Sequence, residues 1–317
     1  MAVFFQHTRA FIEANGSLFD FLWTSAAGLW HLRREVAAEV TAAGRLDQAA
    51  LRAKFVAGSG VRGDNLRRVC VEQSWQDNQA RFAQVALALG VGNFEGWLAE
   101  TATLMYPGDN RQARRQREVV SAGLENLGRY QATLEMLTRD TSEVVAGSFT
   151  PALRREHAAA LSALPQLVAV YRHFKDLRNK LAHEGGLADA HTVATHAAVA
   201  ALTAADLGLK QLPELQPVAA GARVSVSLRG VVGLTAVMVR MVQAYDARLS
   251  VSRHAEAELL ARWRQRFGVQ RGAYVRSAAT RRRKLAMRAG QLGLPMVAPG
   301  QVAVVEGLLM GHGLALE

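Results

Sequence analysis

The residues in this chain best suited to chemistry lie in one short stretch, Lys175-Asp176-Leu177-Arg178-Asn179-Lys180-Leu181-Ala182-His183-Glu184-Gly185-Gly186. An imidazole titrates near neutral pH, so His183 can take or give a proton as general base or acid. A guanidinium keeps its charge and grips phosphate oxygens through two donors, more tightly as negative charge builds in a transition state. Asn179 can orient the imidazole or the phosphate without changing charge. The spacing is that of a helix. Asn179 and His183 are four apart and share a face. Arg178 and His183 are five apart, about 140° around the axis, a gap that a long Arg side chain spans by curling or by meeting the imidazole across a dimer axis. Leu177 and Leu181 bury another face, and the paired glycines suit the positive φ of a helix C-cap. A purely structural role accounts for the same residues. Arg178 can pair with Asp176 or Glu184, and a histidine at a helix C-terminus is favoured by the macrodipole.

The elements that must position these residues are helical by pattern. Ser17 to Val40 is expected to be a helix with Leu18, Phe21, Leu22, Trp30 and Leu32 for its core face, followed by a short helix from Gln48 to Ala57. A long helix is expected from Asn65 to Leu89, punctuated by Gly90 to Gly92, with Phe94 to Met105 resuming it. Tyr106-Pro107-Gly108-Asp109 reads as a turn. Arg111 to Val145 reads as one amphipathic helix whose arginines form a wet face. Thr150 is the expected N-cap of a helix with Pro151 at its first helical position, bent at Pro165 and running to Phe174. Beyond the motif, Ala188 to Leu207 and Leu228 to Arg266 are helical. Arg223 to Ser227 alternates like a short strand, the only β signal. The fold class is therefore all-α, with at most a minor β element near 223–227.

Composition narrows the partners. The 317 residues are 50% hydrophobic and carry a net charge of +11, which favours an anionic partner. A solvated, arginine-rich surface is the plainer account of that charge. Cys70 is the single cysteine, which argues against an intramolecular disulfide or a cysteine metal cluster and suits a reducing cytoplasm. The apolar run Val231 to Val239 is too short for a bilayer, and Met1 to Phe11 lacks the apolar core of a signal peptide, so no membrane partner is expected. Gly58 to Gly63 is glycine-rich like a phosphate loop, but no strand precedes it, and it reads as a connection. His191 and His196 lie five apart without a completing carboxylate, so no metal site is expected. From Arg262 to Arg288 the character changes. Arg262, Arg264, Arg266, Arg271, Arg276, Arg281, Arg282, Arg283, Lys284 and Arg288 fall with no acid among them, interleaved with Trp263, Phe267 and Tyr274. Phosphate neutralisation and base stacking need that mixture.

The run from Arg178 to His183 resembles the signature of the HEPN superfamily: an Arg, a polar residue and, a few positions on, a His. Members are small all-α domains, many of them metal-independent ribonucleases of bacterial defence and toxin systems. The resemblance implies an HEPN-like helical bundle at residues 106–260, flanked by an N-terminal helical region (1–105) and a basic C-terminal element (261–317). It implies catalytic roles for Arg178, Asn179 and His183, with no cofactor. The RNA 2′-OH would attack its own phosphate, leaving a 2′,3′-cyclic phosphate and a 5′-hydroxyl. Nucleic acid would further contact Lys180 and the basic residues above, with Trp263 and Tyr274 as stacking platforms. Two HEPN domains share one cleft, so the single motif implies a homodimer, and a partner or signal that restrains or activates the enzyme. RNA, tRNA among the candidates, is the expected substrate. Some members carry a Tyr two residues after the His, where this chain has Gly185. Two alternatives stand beside the ribonuclease: a non-catalytic RNA- or DNA-binding module, and a helical interaction scaffold.

Overall fold

In a computed structural model, which describes residues 2–43, 47–60, 62–183, 185–271, 273, 277–298 and 300–316, the chain is all-α. The first helix, α1 (Gln6–Ala43), begins well before Ser17 because distant carboxylates cap it. The opening N–H groups of a helix have no carbonyl partners of their own. Here Phe4 and Phe5 donate to Asp246 at 2.6 and 3.0 Å, and Gln6 donates to Glu258 at 2.9 Å. No local pattern announces such a cap.

After α2 (Gln48–Phe55), started by Asp47, the expected helix from Asn65 is broken. Arg68–Glu72 forms a π-helical turn, Gln73 is extended, and a capping box between Ser74 and Asp77 starts α3 (Trp75–Met105). Arg33 of α1 donates to the carbonyls of Val69 and Gln73 left free at that break. Gly90 and Gly92 do not punctuate α3. A Cβ at position 90 would lie 3.3 Å from Met238, so Gly90 serves close packing rather than termination. α1 and α3 run antiparallel, with ring centroids of Phe11 and Phe94 6.1 Å apart and those of Trp30 and Trp75 5.0 Å apart. Of the residues expected on the core face of α1, Leu22 is buried, but Phe21 and Trp30 are exposed. Phe21 meets solvent, and Trp30 is covered only in part, by Trp75.

The expected single helix over 111–145 is three: α4 (Arg111–Leu124), α5 (Tyr130–Leu137) and α6 (Glu143–Ser148), the last capped by Ser142. Next come α7 (Thr150–Glu156), whose first residue rather than N-cap is Thr150, and α8 (Ala158–Ser162). α9 (Leu164–His183) begins at the bend expected near Pro165 and carries the motif at its far end. α10 (Ala190–Ala200) is capped by Asp189. The expected helix over 228–266 splits into α11 (Leu228–Leu249) and α12 (Arg253–Phe267), because Ser252 caps the second. α13 (Ala278–Gln291) and α14 (Val302–Gly311) complete the described helices.

α3, α9 and α11 meet at the centre, where Phe94 packs on Tyr171 at 4.5 Å and Trp97 stacks on Tyr245 at 5.8 Å. The main core draws on residues from Phe4 to Leu316, and Val36, Leu51, Leu66 and Cys70 form a smaller cluster under α2. Residues 223–227 make a single bridge, Leu187 to Arg223, rather than a strand. The alternation is real: Val224 and Val226 are buried. Backbone bonds from Ala188 to Ala222 (2.9 Å) and from Val224 to Gly186 (2.8 Å) fix how the chain leaves α9.

Candidate active site at the end of helix α9

The motif occupies the last turns of a 20-residue helix, longer than its own pattern required. Leu177 is buried and Leu181 half-buried, which holds that face of α9 against the core. Gly185 and Gly186 take φ of 70° and 77°, and the Gly186 N–H returns to the Lys180 carbonyl at 2.9 Å. The helix therefore ends where its sequence says it should.

Arg178 and Asn179 are joined. The guanidinium donates to Asn179 Oδ1 at 2.9 Å and, on its other nitrogen, to Glu95 of α3 at 3.3 Å. Among the described residues its acidic partner is thus Glu95, far along the chain, and not Asp176; Glu184, the other expected partner, lies outside the described residues. Lys175, one turn back, bridges Glu95 at 2.9 Å and Glu125 at 2.5 Å. Arg172 adds weaker contacts to Glu125 (3.6 Å) and Asp176 (3.7 Å), and Asp176 also faces His191 at 3.2 Å. Tyr171, whose hydroxyl lies 3.5 Å from Glu125, is held well above its ordinary range by burial, and the carboxylates of Glu125 and Glu95 add to that. Three cations on α9 therefore balance Glu95, Glu125 and Asp176. His183 is exposed, and no hydrogen bond or ion pair joins it to another described residue.

This geometry divides the motif. Arg178 and Asn179 form a hydrogen-bonded pair, and His183 lies exposed one turn further on with no partner among the described residues. The Arg178–Glu95 pair is only part-buried, and pairs near the surface stabilise by about 0.2–1 kcal/mol. Lys180, expected at the nucleic acid, instead pairs with Asp189 at 2.7 Å. That bond, with those from the Thr192 amide and hydroxyl, pulls the Asp189 carboxyl far below its usual range.

The basic C-terminal element is less uniform than its sequence. Trp263 is fully buried and donates to the Ala315 carbonyl at 2.8 Å, so it is a core residue and offers no stacking face. Arg262 clamps the Phe4 and Leu292 carbonyls and pairs with Glu258 at 3.6 Å. Arg281 and Arg282 share Glu306 at 2.7 and 3.0 Å. Lys284 is half-buried on α13. Arg264, Arg266, Arg271 and Arg283 are exposed, with no acidic partner among the described residues. Tyr274 and Arg276 lie outside the described residues.

His173, absent from the motif, is buried against α10 with its ring 5.6 Å from that of His196 and bonded to Thr195 at 3.1 Å. Burial, reinforced by His196, lowers it to about 4, so it packs as a neutral ring. Among the described residues no three His, Cys, Asp or Glu side chains group as metal ligands. The site residues invisible to sequence reasoning are Glu95 and Glu125, which reach α9 from other helices. Lys175 was findable as the cation one turn before Arg178. No family model, curated protein or solved structure matches this chain.

Proposed function

We propose that the chain is a metal-independent endoribonuclease of the HEPN type, with Arg178 and Asn179 gripping the scissile phosphate and His183 moving the proton. The observation that carries it is the Arg178–Asn179 pair in the last turns of α9, followed four residues after Asn179 by an exposed His183 with no hydrogen-bond or ion-pair partner among the described residues. Arg178 leaves Glu95 for a phosphate oxygen, and its charge is felt most when the pentavalent phosphorane forms. His183 takes the 2′-OH proton or protonates the departing 5′-oxygen. One imidazole per copy suggests that a second copy supplies the complementary group in a shared cleft. RNA, tRNA included, is the substrate class, and the setting is a cytoplasmic defence or toxin effector restrained by a partner or signal. In keeping with that setting, no described helix is long and apolar enough to cross a membrane.

The test is cleavage of labelled RNA by the purified chain in the presence of a chelator. Fragments should end in a 2′,3′-cyclic phosphate and a 5′-hydroxyl. Arg178→Ala and His183→Ala should each slow cleavage by about 10²- to 10⁴-fold while remaining folded. Unaltered cleavage in both variants would refute the assignment.

A second reading, a nucleic-acid-binding module that does not cut, is favoured by the exposed, acid-free Arg264, Arg266, Arg271 and Arg283. It predicts salt-sensitive binding that loses about one unit of salt slope for each arginine contacting phosphate removed, with no cleavage by the wild type.

A further inference from the structure

The outward face of α1 carries a pattern that the site does not use. Along it, Gly16, Asp20, Trp23, Ala27, Trp30 and Arg34 recur at intervals of four, three, four, three and four residues, and all six are exposed. The inward face holds Leu18, Leu22, Leu29, Leu32 and Val36, which pack into the protein. At 100° per residue the two rows lie on roughly opposite sides of the helix. Trp23 and Trp30 remain 48% and 43% exposed, although Trp30 leans on Trp75 and Trp23 on Phe19. Between them, Ala27 and Gly28 leave the backbone open, and a Cβ at Gly28 would meet nothing within 4 Å.

The charges on this seam are arranged about its centre. Asp20 and Arg34 each lie seven residues from Ala27, about 10 Å to either side at 1.5 Å per residue. Neither has an ion-pair partner among the described residues. A two-fold interface must be complementary to itself, with each residue meeting its counterpart across the axis. This seam meets that condition when reversed. Rotation about an axis beside Ala27 sets Asp20 opposite Arg34, brings Trp23 towards Trp30, and puts the small residues at the closest approach.

We propose that the outward face of α1 is a homodimer interface, two copies packing antiparallel about Ala27 with each Asp20 paired to the partner's Arg34. This surface is separate from the motif on α9, and the inference does not rest on the ribonuclease reading. The exposed aromatic pair supplies the apolar contact, since tryptophans are prominent among residues that dominate interface energies. The reciprocal charges set the antiparallel direction and disfavour the parallel one, in which like charges would face each other.

The experiment is sedimentation equilibrium of the full chain over a range of concentrations, with circular dichroism as a folding control. The wild type should dimerise. Asp20→Arg and Arg34→Asp, both at exposed positions, should each weaken the dimer by at least about tenfold. The double variant should recover it, and mixing the two single variants should give a heterodimer. Trp23→Ala with Trp30→Ala should also weaken it without loss of helix. A wild type that stays monomeric throughout overturns the proposal. So does a dimer indifferent to these substitutions, which would place the contact elsewhere, as on α9.

Discussion

Asp246 is the most heavily loaded single residue. It is fully buried, accepts from the Phe4 and Phe5 amides and the Thr8 side chain, and faces Glu258 and Arg262. Burial pushes its carboxyl up to about 7, against the opposing pull of those three donors. The folded protein therefore holds this proton more tightly than the unfolded chain between pH 4 and 7. The contribution of Asp246 is fully present below about pH 4 and is lost as pH rises through 7, at up to about 1.4 kcal/mol per pH unit. Asp246→Asn removes that slope and also turns an amide donor towards a backbone N–H, at a cost of about 1–3 kcal/mol. Urea denaturation of both proteins from pH 4 to 8 checks this. The expected result is a wild-type advantage at pH 4 that shrinks as pH rises and has reversed by about pH 7.

At the scale of elements, α4 and α5 approach most closely where Gly123 meets Thr133. A Cβ at Gly123 would lie 2.2 Å from Thr133 Oγ1 and 3.1 Å from its Cβ and Cγ2. Thr133 is held on α5 by its hydroxyl bond to the Arg129 carbonyl at 3.0 Å, so it cannot step aside freely. Gly123→Ala should destabilise by about 1–3 kcal/mol through overpacking. Adding Thr133→Ala removes two of the three obstructing atoms and should return part of that loss. Thermal melts of the two single variants and the double variant give the coupling. Additive losses would mean that the two helices do not meet as described. The turn between α4 and α5 delivers Glu125 to Lys175, so loosening it should also disturb the charge network beneath Arg178.

Across the whole molecule, the residues just before α1 serve as a plug. Phe4 and Phe5 are buried at the centre, Phe4 edge-on to Phe5 at 5.3 Å and to Phe149 at 5.8 Å. Their backbones are held by Asp246 and by Arg262 of α12. The start of α1, α11 and α12 thus share one anchor. Phe4→Ala should cost about 3–5 kcal/mol. The loss should appear in every structural probe together, including protection of α12 amides from hydrogen exchange. Loss confined to α1 would show that the anchor is local.

What the sequence determined by itself is what depends on near neighbours. The all-α class, the helical motif closed at Gly185 and Gly186, the turn at Tyr106 to Asp109, the bend near Pro165 and the alternating burial of Val224 and Val226 follow from periodicity and from residues with strong backbone preferences. Breaks at Ser74, Ser142 and Ser252 were legible too, as hydroxyl caps, but apolar runs on both sides masked them. Tertiary structure alone decided the rest. Gly90 to Gly92 read as punctuation, yet α3 runs through them, and Gly90 lies where a Cβ would press on Met238 at 3.3 Å. Trp263 sits among cations in the sequence, yet folding turns it inward to the Ala315 carbonyl. Phe21 and Trp30 look like core residues, yet Phe21 stays exposed and Trp30 is covered only in part, by Trp75. Arg178 met Glu95, and the start of α1 met Asp246, across separations at which no pattern along the chain records a neighbour. Which charges stay free for a ligand depends on contacts brought together only when the helices pack.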